Sequence, residues 1–225
     1  MHYPETVIGT FLERPNRFIA KVLIDGKEET VHVKNTGRCK ELLMQGVPVA
    51  LAKAQNPNRK TGWDLVAVKK EGTGWINIDS QACNAVMAEY LRKQGISFKQ
   101  EVKHDNSRFD FLIHPKKDHP MWMEVKGCTL ESRGIGYFPD APTSRGAKHV
   151  QELSQMAKEG ASCALCFVIQ MDHIHCAHIM DHNDPKLFAA IQEAKKNGVR
   201  IFHALCHVSP DSLTITKVYE QKNLF

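Results

Sequence analysis

The chain predicts two architectures in succession: a small OB-like β-barrel, of the oligonucleotide-binding type, and then an α/β sandwich. Two patterns carry this prediction. Up to about residue 79, short apolar stretches alternate with turn signals at the spacing of strands. From Ser80 the apolar period lengthens to that of helices, and helices then alternate with apolar strands, as a layered α/β fold requires. The expected division is 1–79 for the barrel and 80–225 for the sandwich.

In the first part, strands are expected at 7–12, 18–24, 30–33, 47–52, 65–68 and 75–78. They are parted by Asp25-Gly26, Asn35-Thr36-Gly37, Gln45-Gly46, Asn56-Pro57-Asn58 and Gly72-Thr73-Gly74, all turn-forming combinations. A helix of one or two turns is expected over 38–44. A short helix inserted after the third strand suits a barrel whose open face and loops bind nucleic acid. In the second part, Ala82, Ala85, Val86, Met87, Tyr90 and Leu91 recur at helical spacing over 81–94, and Gly95 ends the run. Strands follow at 97–102, 109–113 and 121–125. Thr143 or Ser144 opens a helix through Lys158, closed by Gly160, and 162–170 is a continuous apolar strand. A helix over 186–197, capped by Gly198, precedes a strand at 199–208.

Composition narrows the setting. With 225 residues, 42% of them hydrophobic, there is ample material for a packed core. No apolar run approaches 18 residues, and the opening Met1-His2-Tyr3-Pro4-Glu5 lacks the basic and apolar regions of a signal peptide, so no membrane partner and a cytoplasmic location are expected. Seven cysteines, an odd number spread thinly, argue for reduced thiols instead of a disulfide framework. The net charge of +5 is concentrated: between Lys34 and Lys60, six bases (Lys34, Arg38, Lys40, Lys53, Arg59, Lys60) face the single acid Glu41. Together with Arg14 and Arg17, and with Phe18 and Trp63 nearby, Lys34, Arg38, Lys40, Arg59 and Lys60 predict a basic surface with stacking rings for a phosphate backbone. Taken singly, Phe18 is a commoner core residue than stacking platform, and it is the clustering of charge that carries the reading.

Catalytic chemistry concentrates in residues 107–130. Asp110 sits in an apolar strand among Phe109, Phe111, Leu112 and Ile113, and the next strand carries Glu124-Val125-Lys126. Side chains alternate along a strand, so Glu124 and Lys126 share a face and Val125 points away. The polar stretch 114–120, bounded by Pro115 and Pro120, is the expected hairpin tip. Pairing symmetric about Lys117 sets Ile113 against Met121, Leu112 against Trp122, Phe111 against Met123, and Asp110 against Glu124. Carboxylates so placed have Cβ atoms about 4.5–5.5 Å apart and repel. A hard divalent cation, Mg²⁺ or in its place Mn²⁺, relieves this, because it takes one or two carboxylates plus water and substrate phosphate. Lys126 is then placed to orient or deprotonate a water, or to offset charge on the scissile phosphate. Asp110, Glu124 and Lys126 are the expected catalytic set, with Asp110 and Glu124 as metal ligands. Glu-x-Lys is a common pattern on its own; an acid between two Phe residues in a buried strand is not, being unfavourable unless paired or metal-bound.

Cys163 and Cys166, followed by His173, His175, Cys176 and His178, imitate a zinc motif. An offset of three on a strand points the two thiols to opposite faces, and no tight turn separates them as zinc motifs require. Buried strand cysteines and surface histidines explain the segment.

The stretches Gly9 through Phe18, Asn35-Thr36-Gly37, Asn56-Pro57 with Arg59-Lys60, Ser107 through Leu112, Glu124-Val125-Lys126, and Phe138-Pro139-Asp140-Ala141 through Thr143, Arg145-Gly146 and His149 together resemble the sugar fermentation stimulation protein A family of prokaryotes. The resemblance runs nearly end to end, departing at Arg38 and Cys39, where the family usually has Ser and Met-like residues. It implies an N-terminal OB-like barrel and a C-terminal restriction-endonuclease-like domain of the PD-(D/E)xK class. It also implies DNA binding without strong sequence preference and a regulatory role in maltose metabolism. Asp110, Glu124 and Lys126 map onto that class's two acids and lysine. Pro139-Asp140 only imitates the motif's first letters, since it follows the Glu-x-Lys element. Related nucleases often draw a further metal-reaching acid from the helix before the sheet, here Glu89, which is otherwise a solvated helix glutamate. Glu101 is either a third ligand or an ordinary edge-strand acid. Asp140 and Thr143 are expected to cap the following helix, on which Arg145 and His149, four apart, share one face and could meet a phosphate together. Two functions stay open: a Mg²⁺-dependent nuclease acting on DNA, with RNA as an alternative partner, or a non-catalytic DNA-binding regulator.

Overall fold

The computed structural model describes residues 1–35, 37–56, 58–105, 107–116 and 119–221. Thr36 and Pro57 of the expected turns, and Lys117 and Asp118 at the expected hairpin tip, lie outside the described residues.

Strands β1 (Thr6–Asn16), β2 (Ile19–Ile24), β3 (Lys27–Val33), β4 (Pro48–Lys53) and β5 (Trp63–Lys70) form the barrel. Their pairings run β1–β2–β3–β5–β4 and back to β1, which closes five strands as the sequence predicts; β6 (Gly74–Asn77) extends β5. Alternation supplies the interior: Phe11, Ala20, Val22, Val31, Val33, Val49, Leu51, Leu65 and Val68 are all buried. Asp25 and Gly26 both take positive φ, 50° and 78°, the backbone that a two-residue hairpin between Ile24 and Lys27 needs. The helix of one or two turns expected over 38–44 is a single turn. Leu42 and Leu43 both donate to the Cys39 carbonyl, and Cys39 itself stands at φ 47°, so the turn buries Leu42 and goes no further. A run that short offers too few bonds to offset the unfavourable nucleation of a helix.

The second half begins with α1 (Ala82–Lys93), followed by β7 (Ser97–His104), β8 (Ser107–Lys116), β9 (His119–Cys128), β10 (Leu130–Ser132) and β11 (Ile135–Phe138). Then come α2 (Ser144–Lys158), β12 (Ser162–Ile169), β13 (Ala177–Ile179), α3 (Pro185–Lys196), β14 (Arg200–Ser209) and β15 (Ser212–Glu220). The main sheet has the order β15-β14-β12-β9-β8-β7, with β9, β12 and β14 parallel at its centre. Helix α1 covers one face with Val86, Met87 and Leu91 against Phe111, Met123 and Val125; α2 and α3 cover the other. Cys163 packs in the core under α2 and α3 and Cys166 in the core under α1, the opposite orientation that their spacing dictates. No helix among the described residues is long and apolar enough to cross a membrane.

Barrel and sandwich share one core. Phe11, Leu51 and Ile76 belong to the same apolar cluster as Leu153, Phe167 and Ile191. A buried polar cluster adds direction to this contact: Gln170 Nε2 donates to Asn77 Oδ1 (2.8 Å) and to the Asp79 carbonyl (3.1 Å), Cys83 Sγ donates to Gln170 Oε1, and Tyr3 Oη donates to Asp79 Oδ2.

His203 on β14 is fully buried, near the Tyr219 hydroxyl through Nδ1 (3.2 Å), and burial pushes its pKa down to about 4. The folded chain therefore stays unprotonated there while the unfolded chain takes up a proton near pH 6.5. This contribution to stability is full above that pH and is lost as pH falls toward 4. His203→Phe is expected to flatten that part of the stability–pH curve, as measured by chemical denaturation at pH 7, 6, 5 and 4.5; an unchanged slope would refute it.

Candidate active site

The ladder between β8 and β9 has the expected register: Phe111 faces Met123, Leu112 faces Trp122 and Ile113 faces Met121. At Asp110 β8 departs from simple alternation. Phe109 and Phe111, two apart, lie in different cores, the first under α2 and the second under α1. On the neighbouring strand β7, Glu101 takes φ 52°, a left-handed conformation unfavourable for a residue with a Cβ, at the step between the Gln100–Phe111 and Val102–Phe109 pairs. The half-buried carboxylate of Asp110 lies between β9 and α1. Its Oδ2 accepts the Val125 N–H (2.7 Å), and its Oδ1 accepts from Asn84 Nδ2 (2.7 Å).

Asn84 reaches Asp110 because the first turn of α1 lies close against β9. Gly127 makes that approach feasible: a Cβ there would stand 2.4 Å from Gln170 Oε1 and 2.8 Å from Cys83 Sγ. Asp79 steadies the same turn, accepting the Gln81 N–H through Oδ1 and the Ala82 N–H through its carbonyl.

Glu124 is 2% exposed and its two oxygens differ sharply. Oε1 accepts from Lys126 Nζ (2.5 Å) and lies 2.5 Å from His149 Nδ1. An ionised carboxylate only accepts, so that ring nitrogen carries the proton. Oε2 is buried and has no partner among the described residues. His149 is held in turn by α2, whose first turn is capped by Thr143 Oγ1 accepting the Gly146 N–H, and its ring packs against Phe109. Asp140 does not cap this helix; its carboxylate lies beside Gly37 instead.

Asp110, Glu124 and Lys126 thus converge, with Glu101, Arg108, Asn84, Arg145 and His149, around a cleft of about 290 Å³. Burial, and next the Glu124 charge, push the Asp110 carboxyl above its ordinary pKa. Glu101, Asp110 and Glu124 face Arg108, Lys126 and Arg145 in the cleft, three acidic side chains against three basic ones. A divalent cation fits this arrangement: the orphaned Oε2 of Glu124 is an oxygen donor with nothing to donate to, beside a second carboxylate disfavoured by like charge. Among the described residues no three His, Cys, Asp or Glu side chains form a ready cage, so water and substrate oxygen have to complete the coordination, as is usual for Mg²⁺.

Not every expected site residue comes to this cleft. Glu89 points elsewhere, paired with Lys93 Nζ (2.6 Å) and the Met1 amine (2.5 Å), which hold its carboxyl down to about 2. His149 lines the cleft with Arg145, but its Nδ1 is committed to Glu124 and not to phosphate. Of the basic set, Arg14 is clamped by the carbonyls of Arg17, Asn35, Gly37 and Arg38. Lys34 pairs with Asp79 and Arg59 grips Asp64 with both terminal nitrogens, so these three serve the barrel's own architecture. Arg17, Arg38 and Lys40 line a cleft of about 650 Å³ on the barrel, and Lys60 is exposed. Phe18, expected as a stacking ring of this surface although a lone Phe is more often core, is 51% exposed with the Arg17 guanidinium 5.8 Å from its ring centroid. Sequence reasoning missed Asn84 and Arg108, and the pairing of His149 with Glu124. Only Arg108, two residues before Asp110 in the chain, carried a signal that could have been used.

Residues 81–212 match the family described as sugar fermentation stimulation protein RE domain, and residues 12–78 match the SfsA N-terminal OB domain. The chain belongs to the sugar fermentation stimulation protein family. The family member from Desulfitobacterium hafniense (strain Y51), a sugar fermentation stimulation protein homolog, is 47% identical over 219 residues, covering 95% of this chain and 94% of its own. The homolog from Clostridium perfringens (strain 13 / Type A) is 44% identical over 217 residues, with 93% and 94% covered. Among solved structures, Pyrococcus furiosus SfsA in complex with Ca²⁺ matches with a TM-score of 0.81 and 24% identity, covering 98% of this chain and 95% of that one, a likeness of fold within the family.

Proposed function

We propose that this member of the sugar fermentation stimulation protein family is a DNA-binding, divalent-cation-dependent phosphodiesterase of the PD-(D/E)xK class, acting in the cytoplasm without strong sequence preference. The division of labour follows residues 1–79, which bind, and 80–225, which cut. The observation that carries this reading is the buried, unpartnered Oε2 of Glu124 beside a destabilised Asp110. Asp110 and Glu124 are the residues to hold the ion, Mg²⁺ or Mn²⁺. When bound, such an ion supplies a more acidic water and neutralises charge on phosphate. The solved structure of the P. furiosus relative, in complex with Ca²⁺, lends support to a cation in this family.

The protein's own groups do the rest. His149 fixes the rotamer of Glu124, and Asn84 does the same for Asp110. Lys126, on the Glu124 Oε1, can move a proton at the attacking water or meet the scissile phosphate. Arg108 and Arg145, exposed at the cleft, orient the phosphate backbone. Seven free thiols accord with a reducing compartment.

Purified protein incubated with plasmid, single-stranded DNA and RNA, in Mg²⁺ or Mn²⁺, tests the reading. Cleavage is expected, falling by about 10²-fold or more in both Asp110→Ala and Lys126→Ala, with DNA binding retained. No cleavage of any substrate would leave the second reading, a non-catalytic DNA-binding regulator of sugar (maltose) metabolism. The relatives' printed names, which speak of sugar fermentation, accord with that reading.

A further inference from the structure

The acid cleft does not stand alone. Three clefts run edge to edge across the junction of barrel and sandwich. The first, of about 650 Å³, lies on the barrel; the second, of about 410 Å³, lies between Asn35 and Gly37 on one side and Asp140 to Thr143 on the other; the third is the acid cleft of about 290 Å³. The first and second share Gly37 and Ala141. The second and third share Ser80, Cys83, Lys126 and Gly127.

Charge is graded along this line. The barrel cleft is basic, with Arg14, Arg17, Arg38 and Lys40 against Glu13, and exposed Phe18 stands beside it under the Arg17 guanidinium. The middle and acid clefts share Lys126, and together they set Lys126, Arg108 and Arg145 against Asp140, Glu101, Asp110 and Glu124, an excess of one acid. A polyanion is therefore gathered at the barrel and led toward a cleft whose excess acid a divalent cation would offset. A basic groove with an exposed aromatic ring is the means by which proteins hold single strands.

Size decides between one strand and two. The acid cleft is at or below the small end of pockets that take single small molecules, and the Glu124 carboxylate at its floor is 2% exposed. Between the first two clefts lies a ridge where Gly37 is in contact with Asp140, so close that a Cβ on Gly37 would lie 2.6 Å from Asp140 Oδ2. A strand with unpaired, unstacked bases can bend its backbone over such a ridge and down into the acid cleft, whereas a stacked duplex is too stiff and too wide to follow it.

We propose that the three clefts form one track for a single unpaired polynucleotide strand, so that the strand gripped by the barrel is the strand presented to Asp110 and Glu124. This rests on the phosphodiesterase reading of the acid cleft, yet it is tested by binding, so the two can fail separately.

The test is fluorescence anisotropy in EDTA with labelled dT16, dT4, rU16 and a blunt 16-base-pair duplex. Expected are at least tenfold tighter binding of dT16 than of duplex, and about tenfold weaker binding of dT16 in Arg38→Glu/Lys40→Glu, with the dependence of log Kd on log salt flattened by about 0.7 for each phosphate no longer neutralised. Gly37→Val, whose side chain would collide with Asp140 and raise the ridge between the clefts, is expected to weaken dT16 similarly while changing dT4 less than twofold; rU16 reports whether the sugar matters. Duplex binding as tight as dT16 overturns the single-strand assignment. Full dT16 affinity in a folded Gly37→Val protein overturns the joining of the clefts. Should Gly37→Val not fold, the double variant decides: unchanged dT16 binding refutes the track. Single-strand binding as expected but no cleavage with Mg²⁺ or Mn²⁺ leaves the track intact and removes the phosphodiesterase.

Discussion

Replacing Asp110 by Asn is expected to raise the melting temperature of the cation-free protein and to erase the further rise that Mg²⁺ or Mn²⁺ gives the unsubstituted chain. Burial and the neighbouring Glu124 charge both disfavour the ionised Asp110, so its carboxyl titrates above the ordinary range. An acid with a raised folded pKa destabilises the fold where it is ionised, and the penalty fades as pH falls through that raised value. Asn removes the charge while keeping the shape. Its oxygen can accept the Val125 N–H, and its amide can donate to Asn84 once that side chain turns its own oxygen inward. For the unsubstituted protein, a cation at a hundred times its Kd adds about 2.7 kcal/mol, or roughly 5–10 °C for a chain of this size. The measurement is thermal melting at pH 8 with and without each ion. A cation response that survives in Asp110→Asn would move the ion elsewhere and undo the proposed ligand pair.

Gln170→Ala is expected to lower the melting temperature by roughly 6–12 °C, equivalent to about 3 kcal/mol from a small cavity and the absence of buried hydrogen bonds. Gln170 is 1% exposed and touches both halves of the molecule: it donates to Asn77 and Asp79 and accepts from Cys83. Removing it frees the start of α1, which carries Asn84 to Asp110, so the cation response should weaken as well. Gln170→Leu separates the contributions, since it restores most of the volume without the hydrogen bonds. Melting within about 1 °C of the unsubstituted protein in Gln170→Ala would show that this cluster holds nothing.

The elements of the fold were legible wherever period and punctuation agreed. The Asp25-Gly26 hairpin, the Thr143 cap and the continuous apolar strand of β12 each announce themselves in one short stretch. The three- and four-residue strands β10, β11 and β13 do not, because so few residues show no period; β15 was missed although its Leu213 and Ile215 alternate with more exposed neighbours. At the site, the alternation of β8 and β9 located the acids on facing strands, with Phe111 against Met123 and Ile113 against Met121 as expected, although the register shifts before Lys116 pairs with His119. What the pattern hid was the change of face at Asp110. Alternation would put Phe109 and Phe111 on one side, and only tertiary packing, with Glu101 in a left-handed conformation, divides them. The basic set was over-counted for a related reason: sequence gives charge but not its partner, and Arg14, Lys34 and Arg59 are each consumed by acceptors distant or hidden in the linear text.

The left-handed turn of Glu101 has a second effect, away from the acids. Strand β7 is the outer margin of the six-stranded sheet, where a straight strand would present an unbroken row of N–H and C=O groups to any passing chain. At Glu101 that row is interrupted, and exposed Lys99 and Lys103 stand on either side of the break. A residue that lines the acid cleft on the inside thus also discourages another copy of the protein from zipping onto the sheet from outside.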